Sequence, residues 1–270
     1  MSIIKRIGQR DALLILQHFT GKTATEIMLN NYRLPLDTGQ AEAVENAITR
    51  LQAGEPLQYI LGKWEFYGRG FITDARALIP RPETELLVED ALAFIKNWDR
   101  PKILDLCTGT GCIAITMAKE RPDAVVVGAD ISPQALALAG ENDPAQNVRW
   151  IQSDLFAEIH ETFDLIISNP PYITQQEMAA LDPVVSQYEP HLALYGGVDG
   201  LDIYRQLIPQ AYAHLHPGGG LFMEIGPSQV YDLMSPVGFE NIKMKKDYAS
   251  LDRIVSGTKE KQKIRSERNV

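Results

Sequence analysis

The residues whose types and spacing point most directly to chemistry are Asn169, Pro170, Pro171 and Tyr172, at the end of the stretch DLIISNPPYI. An apolar run enters them, and two prolines stop it. A planar amino group, on an amide or a nucleobase, is a poor nucleophile because its nitrogen lone pair is delocalised into the neighbouring π system. A site can help by accepting hydrogen bonds from both N–H groups. The Asn169 side-chain oxygen can take one and the Pro170 backbone carbonyl the other, with the prolines fixing that carbonyl's direction through their locked φ. The ring of Tyr172 can pack on the planar group. A nitrogen held in line with an electrophilic carbon then attacks by simple displacement, so positioning and preorganised dipoles carry most of the catalysis. Neither a metal nor a pre-attack base is needed. The plainer alternative is a rigid exit from a strand.

Something must hold that motif at the end of a strand. From Lys102 onward the chain alternates. KILDLC, AVVVGAD, VRWIQSD, FDLIISN and GGGLFMEIG read as strands. GCIAITMAKERP, SPQALALAGEN and DIYRQLIPQAYAHL read as helices between them. This alternation predicts an α/β, doubly wound, mostly parallel sheet. FENIKMKKD and DRIVSGT fit a terminal strand pair.

In such sheets ligands bind beyond the carboxyl ends of the strands. The first end, DLCTGTGC, carries Cys107, Thr108, Gly109, Thr110 and Gly111. Its glycines suit a tight turn that lets a ligand approach the backbone, although the spacing is not the dinucleotide G-x-G-x-x-G. The second end supplies Asp130, about 20 residues on, placed to hold ribose hydroxyls or to cap the next helix; Ser132 before Pro133 is the better cap. The third supplies Asp154, for an adenine amino group or as another cap, with Leu155 against the ring. The fourth is Asn169 to Tyr172. Four consecutive ends each offer a ligand group.

Ahead of this unit, residues 1–62 read as helices. DALLILQHFTG ends at Gly21, Thr23 with Glu26 fits a capping box, and Asp37 or Thr38 opens a third helix that stops at Gly54. WEFYGRGFIT reads as a hairpin around Gly68-Arg69-Gly70, and LIPRPETELLVEDALAFI as a proline-marked entry into an amphipathic helix. The divisions expected are 1–62 helical, 63–80 hairpin linker, 81–258 α/β domain and 259–270 charged tail.

The glycine loop, the ribose acid, the base contact and the Asn-Pro-Pro-Tyr motif, in that order, resemble the class I S-adenosylmethionine-dependent methyltransferases, with Cys107 where a glycine is more usual. LIPRPETE (Leu78–Glu85) and YEPHLALYGGVDGLDIYR (Tyr188–Arg205) closely resemble the HemK/PrmC family of protein-(glutamine-N5) methyltransferases that act on peptide chain release factors. The likeness covers nearly the whole chain. It implies a Rossmann-like class I domain with a seven-stranded, mostly parallel sheet, a small all-α N-terminal domain that helps hold the substrate protein, and a β-hairpin linker. It implies S-adenosyl-L-methionine as cofactor, with S-adenosyl-L-homocysteine as product. The acceptor it implies is the glutamine of the Gly-Gly-Gln loop of release factors. Cofactor roles carry over to Cys107, Thr108, Gly109, Thr110, Gly111, Asp130, Leu155 and Asn169, with Asp154 beside them. Arg81, Pro82 and Glu83 match the segment that lies close to the cofactor. Substrate roles carry over to Asn169, Pro170, Pro171 and Tyr172, with Asn169, Pro170 and Tyr172 as the catalytic group. Glu189 either orders the loop over the acceptor or makes a structural ion pair; Gly196, Gly197, Asp199 and Gly200 shape that loop.

Composition narrows the rest. With 45% hydrophobic and 23% charged residues the chain is an ordinary globular one. A net charge of −9 speaks against non-specific grip on DNA or RNA. Cys107 and Cys112 form no Cys-x-x-Cys pair, and the five histidines show no ligand spacing, so no metal is expected. No secretory signal is read near the N-terminus and no membrane span, so a cytoplasmic protein without membrane partners is expected; a monomer without DNA partners is expected as well. Two rival functions share the motif or part of it: a nucleobase amino methyltransferase, and a cofactor-binding protein that docks without turnover.

Overall fold

The computed structural model describes residues 3–226 and 229–261. Five helices come first: α1 (Ile3–Ile7), α2 (Gln9–Thr20), α3 (Ala24–Leu29), α4 (Thr38–Gln52) and α5 (Leu57–Leu61). Their boundaries follow from local chemistry. Gly21 closes α2 in the left-handed conformation. Thr23 and Glu26 form the capping box of α3, and Asp37 with Gln40 forms that of α4. The apolar faces of these helices meet in their own core around Ile15, Ile27 and Ile48.

Strands β1 (Lys63–Phe66) and β2 (Arg69–Ile72) form the hairpin. Its turn is Tyr67-Gly68, both at positive φ (53° and 69°). That geometry suits a two-residue hairpin, so Arg69 and Gly70, expected in the turn, belong to β2. The hairpin is pinned to the next unit: Asn142 Oδ1 accepts from Ile72 N at 2.7 Å, and Glu85 Oε1 accepts from Tyr67 N at 2.8 Å.

The remaining elements are α6 (Pro82–Phe94), β3 (Lys102–Leu106), α7 (Cys112–Glu120), β4 (Val125–Asp130), α8 (Pro133–Asn142), β5 (Val148–Gln152), β6 (Phe163–Ser168), α9 (Gln175–Ala180), α10 (Pro183–Tyr188), α11 (Asp202–His214), β7 (Leu215–Glu224), α12 (Val230–Met234), β8 (Phe239–Lys246) and β9 (Asp252–Lys259). They build a seven-stranded sheet in the order β5-β4-β3-β6-β7-β9-β8. The first five are parallel, and β9 runs antiparallel to both β7 and β8. The expected terminal pair is therefore real, with β9 inserted beside β7. His216 lies in β7, where its ring nitrogen Nδ1 pairs with Asp164 Oδ1 at 2.9 Å.

Alternate residues of one strand enter opposite cores. Leu104 and Val127 face α11, whereas Ile103 and Val126 face α6 and α7. Both faces are covered, so the sheet reads as continuous apolar runs. Strand order reverses at β3, whose neighbours are β4 on one side and β6 on the other. Leu106 pairs with Ser168 across β3 and β6. The loops that leave these two strands open the crevice where doubly wound sheets bind ligands.

Candidate active site

A cleft, open in part to solvent, lies at that crevice. One wall is the β3–α7 loop. Cys107, Gly109 and Gly111 adopt φ of 62°, 56° and 79°. Cys107 thus takes a conformation usually left to glycine, at a cost on the order of 1 kcal/mol. Burial holds its thiol well above the usual value, so it does not serve as a thiolate. Cys107, Thr108, Gly109 and Thr110 line the cleft, whereas Gly111 opens α7 behind them.

Asp130 fixes this wall. Its carboxylate accepts from Gly109 N and Ser132 N, each at 2.9 Å, while burial raises its pKa. Ser132 is the cap of α8, accepting from Ala135 N. The Asp130 carboxylate therefore remains available to the cleft, which it lines. Beneath it, Asp105 is fully buried and accepts from Thr108 Oγ1 and from Ala114 N. Its second oxygen has no partner, and burial pushes its pKa up to about 7.

The opposite wall is the segment before α6. Leu78, Ile79 and Arg81 line the cleft; Pro82 opens α6 without lining it, and neither does Glu83. Glu189 sits behind this wall, 5% exposed. It accepts from Arg81 Nη2 at 2.5 Å and from Ile79 N at 3.3 Å. Glu189 lies outside the lining and ties the wall to the loop after α10, part of which (Leu192, Ala193) covers the cleft.

Asn169 and Pro171 reach the cleft between the walls, and Pro170 is buried between them. Ser168 Oγ donates to Leu106 O at 2.7 Å, locking the ends of β6 and β3 together. Gly196 packs so closely that a Cβ there would stand 2.6 Å from Tyr172 Cα. Tyr172 turns away from the cleft and lines a neighbouring hollow with Leu251 and Arg253. Asp154 is exposed and Leu155 is buried in the sheet's core, so neither lines the cleft.

Two residues at the motif were not singled out in the sequence. Thr84 Oγ1 lies 3.2 Å from Asn169 Nδ2 and 2.6 Å from Glu224 Oε2. Tyr172 OH approaches Glu224 Oε1 at 3.4 Å. Thr84 stands in the family-like LIPRPETE segment, which was a usable signal; Glu224 reads as one more residue at a strand end.

The residues present fit S-adenosylmethionine. Asp130 offers acceptors for a ribose diol, Gly109 opens the loop by having no side chain, and Leu78, Ile79 and Ile131 give apolar surface for a base. Among the described residues no group of His, Cys, Asp and Glu could hold a metal, and no helix is long and apolar enough to cross a membrane.

Comparison with known proteins agrees. The family described as "Methyltransferase small domain" matches residues 83–248, and "PrmC N-terminal domain" matches residues 7–62. A release factor glutamine methyltransferase from Cereibacter sphaeroides is 44% identical over 92% of this chain and 90% of its own length. One from Geobacter sulfurreducens is 42% identical over 84% and 81%. Among solved structures, a methyltransferase from Pyrococcus furiosus aligns with a TM-score of 0.53 at 17% identity, covering 80% of this chain and 99% of that one. A Thermus thermophilus 16S rRNA N2 G1207 methyltransferase in complex with AdoMet and guanosine gives 0.54 at 20%, covering 73% and 49%. At such identities the two structures show the fold alone. Matched in sequence over nearly the full length of its relatives, and folded as a class I methyltransferase, the chain belongs to the S-adenosylmethionine-dependent release factor glutamine methyltransferase family.

Proposed function

We propose that this protein methylates the side-chain amide nitrogen (N5) of the glutamine in the Gly-Gly-Gln loop of peptide chain release factors. One observation carries this reading furthest. Asn169 stands in the same cleft as Asp130 and the glycine loop, just after β6, the neighbour of the β3 strand that leads into that loop. An amide acceptor and a nucleoside holder share one crevice.

When bound, S-adenosylmethionine supplies an electrophilic sulfonium methyl group. The chain's residues do the rest by placement. Asp130 holds the ribose hydroxyls, and Cys107 to Thr110 present backbone to the cofactor. Arg81, held by Glu189, stands on the opposite wall. Asn169 Oδ1 accepts one N–H of the acceptor amide and the Pro170 carbonyl accepts the other. Pro171 closes the rim. The acceptor nitrogen would take the methyl as its bond to sulfur breaks, with S-adenosylhomocysteine leaving as the neutral thioether and a proton going to solvent, so no side chain needs to act as a base before attack. Residues 1–62 hold the substrate protein, with Met28 and Leu29 exposed at the end of α3. The protein works as a cytoplasmic monomer without nucleic acid.

The test offers labelled S-adenosylmethionine and two acceptors side by side, an unmodified release factor and total RNA plus DNA. Label on the release factor, absent when its Gly-Gly-Gln glutamine is changed to alanine, is expected. Label on nucleic acid alone would transfer the amino-group chemistry to a nucleobase. Cofactor binding with no label on either acceptor would leave only the docking reading.

A further inference from the structure

An asparagine amide has nearly the same shape either way round, yet only one way presents an acceptor. If its NH2 faced the cleft it would repel the acceptor amide. Something must choose. Thr84 sits in the first turn of α6 and is 2% exposed; Glu224 ends β7 and is also 2% exposed. Thr84 has one hydroxyl hydrogen. An ionised carboxylate only accepts, so at 2.6 Å that hydrogen belongs to Glu224 Oε2. The lone pairs left on Thr84 Oγ1 then face Asn169 at 3.2 Å and can only accept. The NH2 of Asn169 is drawn to Thr84, and Oδ1 is the atom left for the cleft. Burial raises the Glu224 pKa, while the Thr84 hydroxyl and the positive charge of Arg253 oppose that shift and favour the ionised form that this relay requires. Tyr172 OH, 3.4 Å from the second carboxylate oxygen, completes the surround.

We propose that Thr84 and Glu224 are positioning residues that fix which way round the Asn169 amide stands, so that its oxygen meets the substrate amide. The idea rests on the function given above, but its structural half can be read without turnover. In the full-length chain with S-adenosylhomocysteine bound, the Asn169 side-chain NH2 signal is identified by its loss in Asn169→Ala. Its hydrogen exchange is expected to speed at least ~10-fold in Thr84→Val and to stay near wild type in Thr84→Ser, as loss or retention of one buried acceptor predicts. Thr84→Ala removes the same hydroxyl should the valine variant fail to fold. In turnover, Thr84→Val lowers kcat about 10- to 30-fold with cofactor affinity within about 3-fold, and Thr84→Ser recovers most of it. In an Asn169→Ala background the same Thr84→Val change costs less than about 2-fold, because there is no amide left to orient. Equal losses in both backgrounds, or exchange unmoved by removal of the hydroxyl, would overturn the proposal. A wild-type chain that protects the Asn169 amide through Thr84 but leaves release factors unmethylated would support the orienting role and defeat the functional reading instead.

Discussion

On one wall of the cleft, Asp105 holds Thr108 three residues away and Asp130 holds Gly109 across 21 positions. On the other, Ile79 and Arg81 reach Glu189 across 110 and 108 positions, and Thr84 reaches Glu224 across 140. The first wall is a strand–turn–helix unit that orders itself, mostly through backbone N–H groups. The second is assembled only when distant parts of the chain have folded, and it is joined by side chains. A local wall can tolerate side-chain loss, because glycine conformations and short-range turns still define it. A long-range wall depends on its few buried charges.

The contrast can be tested in steps. The largest effect is expected where the walls meet. Asn169→Ala should lower turnover at least ~100-fold while leaving cofactor affinity within about tenfold, since one lost preorganised contact acts on the barrier; single-turnover rates and equilibrium binding of S-adenosylmethionine check the two halves. Next is the long-range wall. Glu189→Ala leaves Arg81 without its partner and should cost about 2 kcal/mol of stability, less than a fully buried pair because the Arg81 side chain is 32% exposed. The same measurement by urea titration on Glu161→Ala, which breaks exposed pairs to Lys102 and Arg149, should show at most about 1 kcal/mol.

The local wall carries a pH signature. Burial raises Asp105 in the folded state from near 3.8 to about 7. The folded chain thus keeps a proton that the unfolded chain releases. The stability from this group is complete below about pH 4 and is lost as pH rises toward 7. Asp105→Asn should flatten that loss, a difference on the order of 3–4 kcal/mol between those limits, read from melting curves across the range. The smallest effect is expected at Cys107→Gly. Relief of the positive φ and the added freedom of the unfolded chain oppose each other, so stability should change by less than about 1 kcal/mol.

The same division explains what could be read from the sequence. The capping box of α3, the cap of α4, the glycine loop, Asp130 and the alternation of strands and helices are set by contacts between near neighbours or by repeating apolar runs. They were legible. Helices α9 and α10 were missed because TQQEMAALDPVVSQY is short, polar and proline-broken, with too few apolar positions to show a period. The hairpin was legible but its turn was not, because Tyr67 adopts a positive φ that its residue type disfavours. Asp154 and Leu155 were expected beside the base from their place at a strand end. The chain instead turns at Leu155, φ 47°, and buries that side chain in the core. Tyr172 was expected on the planar group, but the close approach of Gly226 to its ring (2.4 Å from a would-be Cβ) shows it seated against the end of β7. Glu224 escaped notice because its partner Thr84 is far along the chain, and no local pattern joins them.

The most direct measurement is methyl transfer from labelled S-adenosylmethionine to an unmodified release factor, with the modified peptide sequenced by mass spectrometry, for the wild-type chain and for Asn169→Ala. A single methyl on the side-chain nitrogen of the Gly-Gly-Gln glutamine, formed at least ~100-fold more slowly by the variant, is the predicted result. A methyl elsewhere, or an Asn169→Ala protein that turns over like the wild type, would contradict the account.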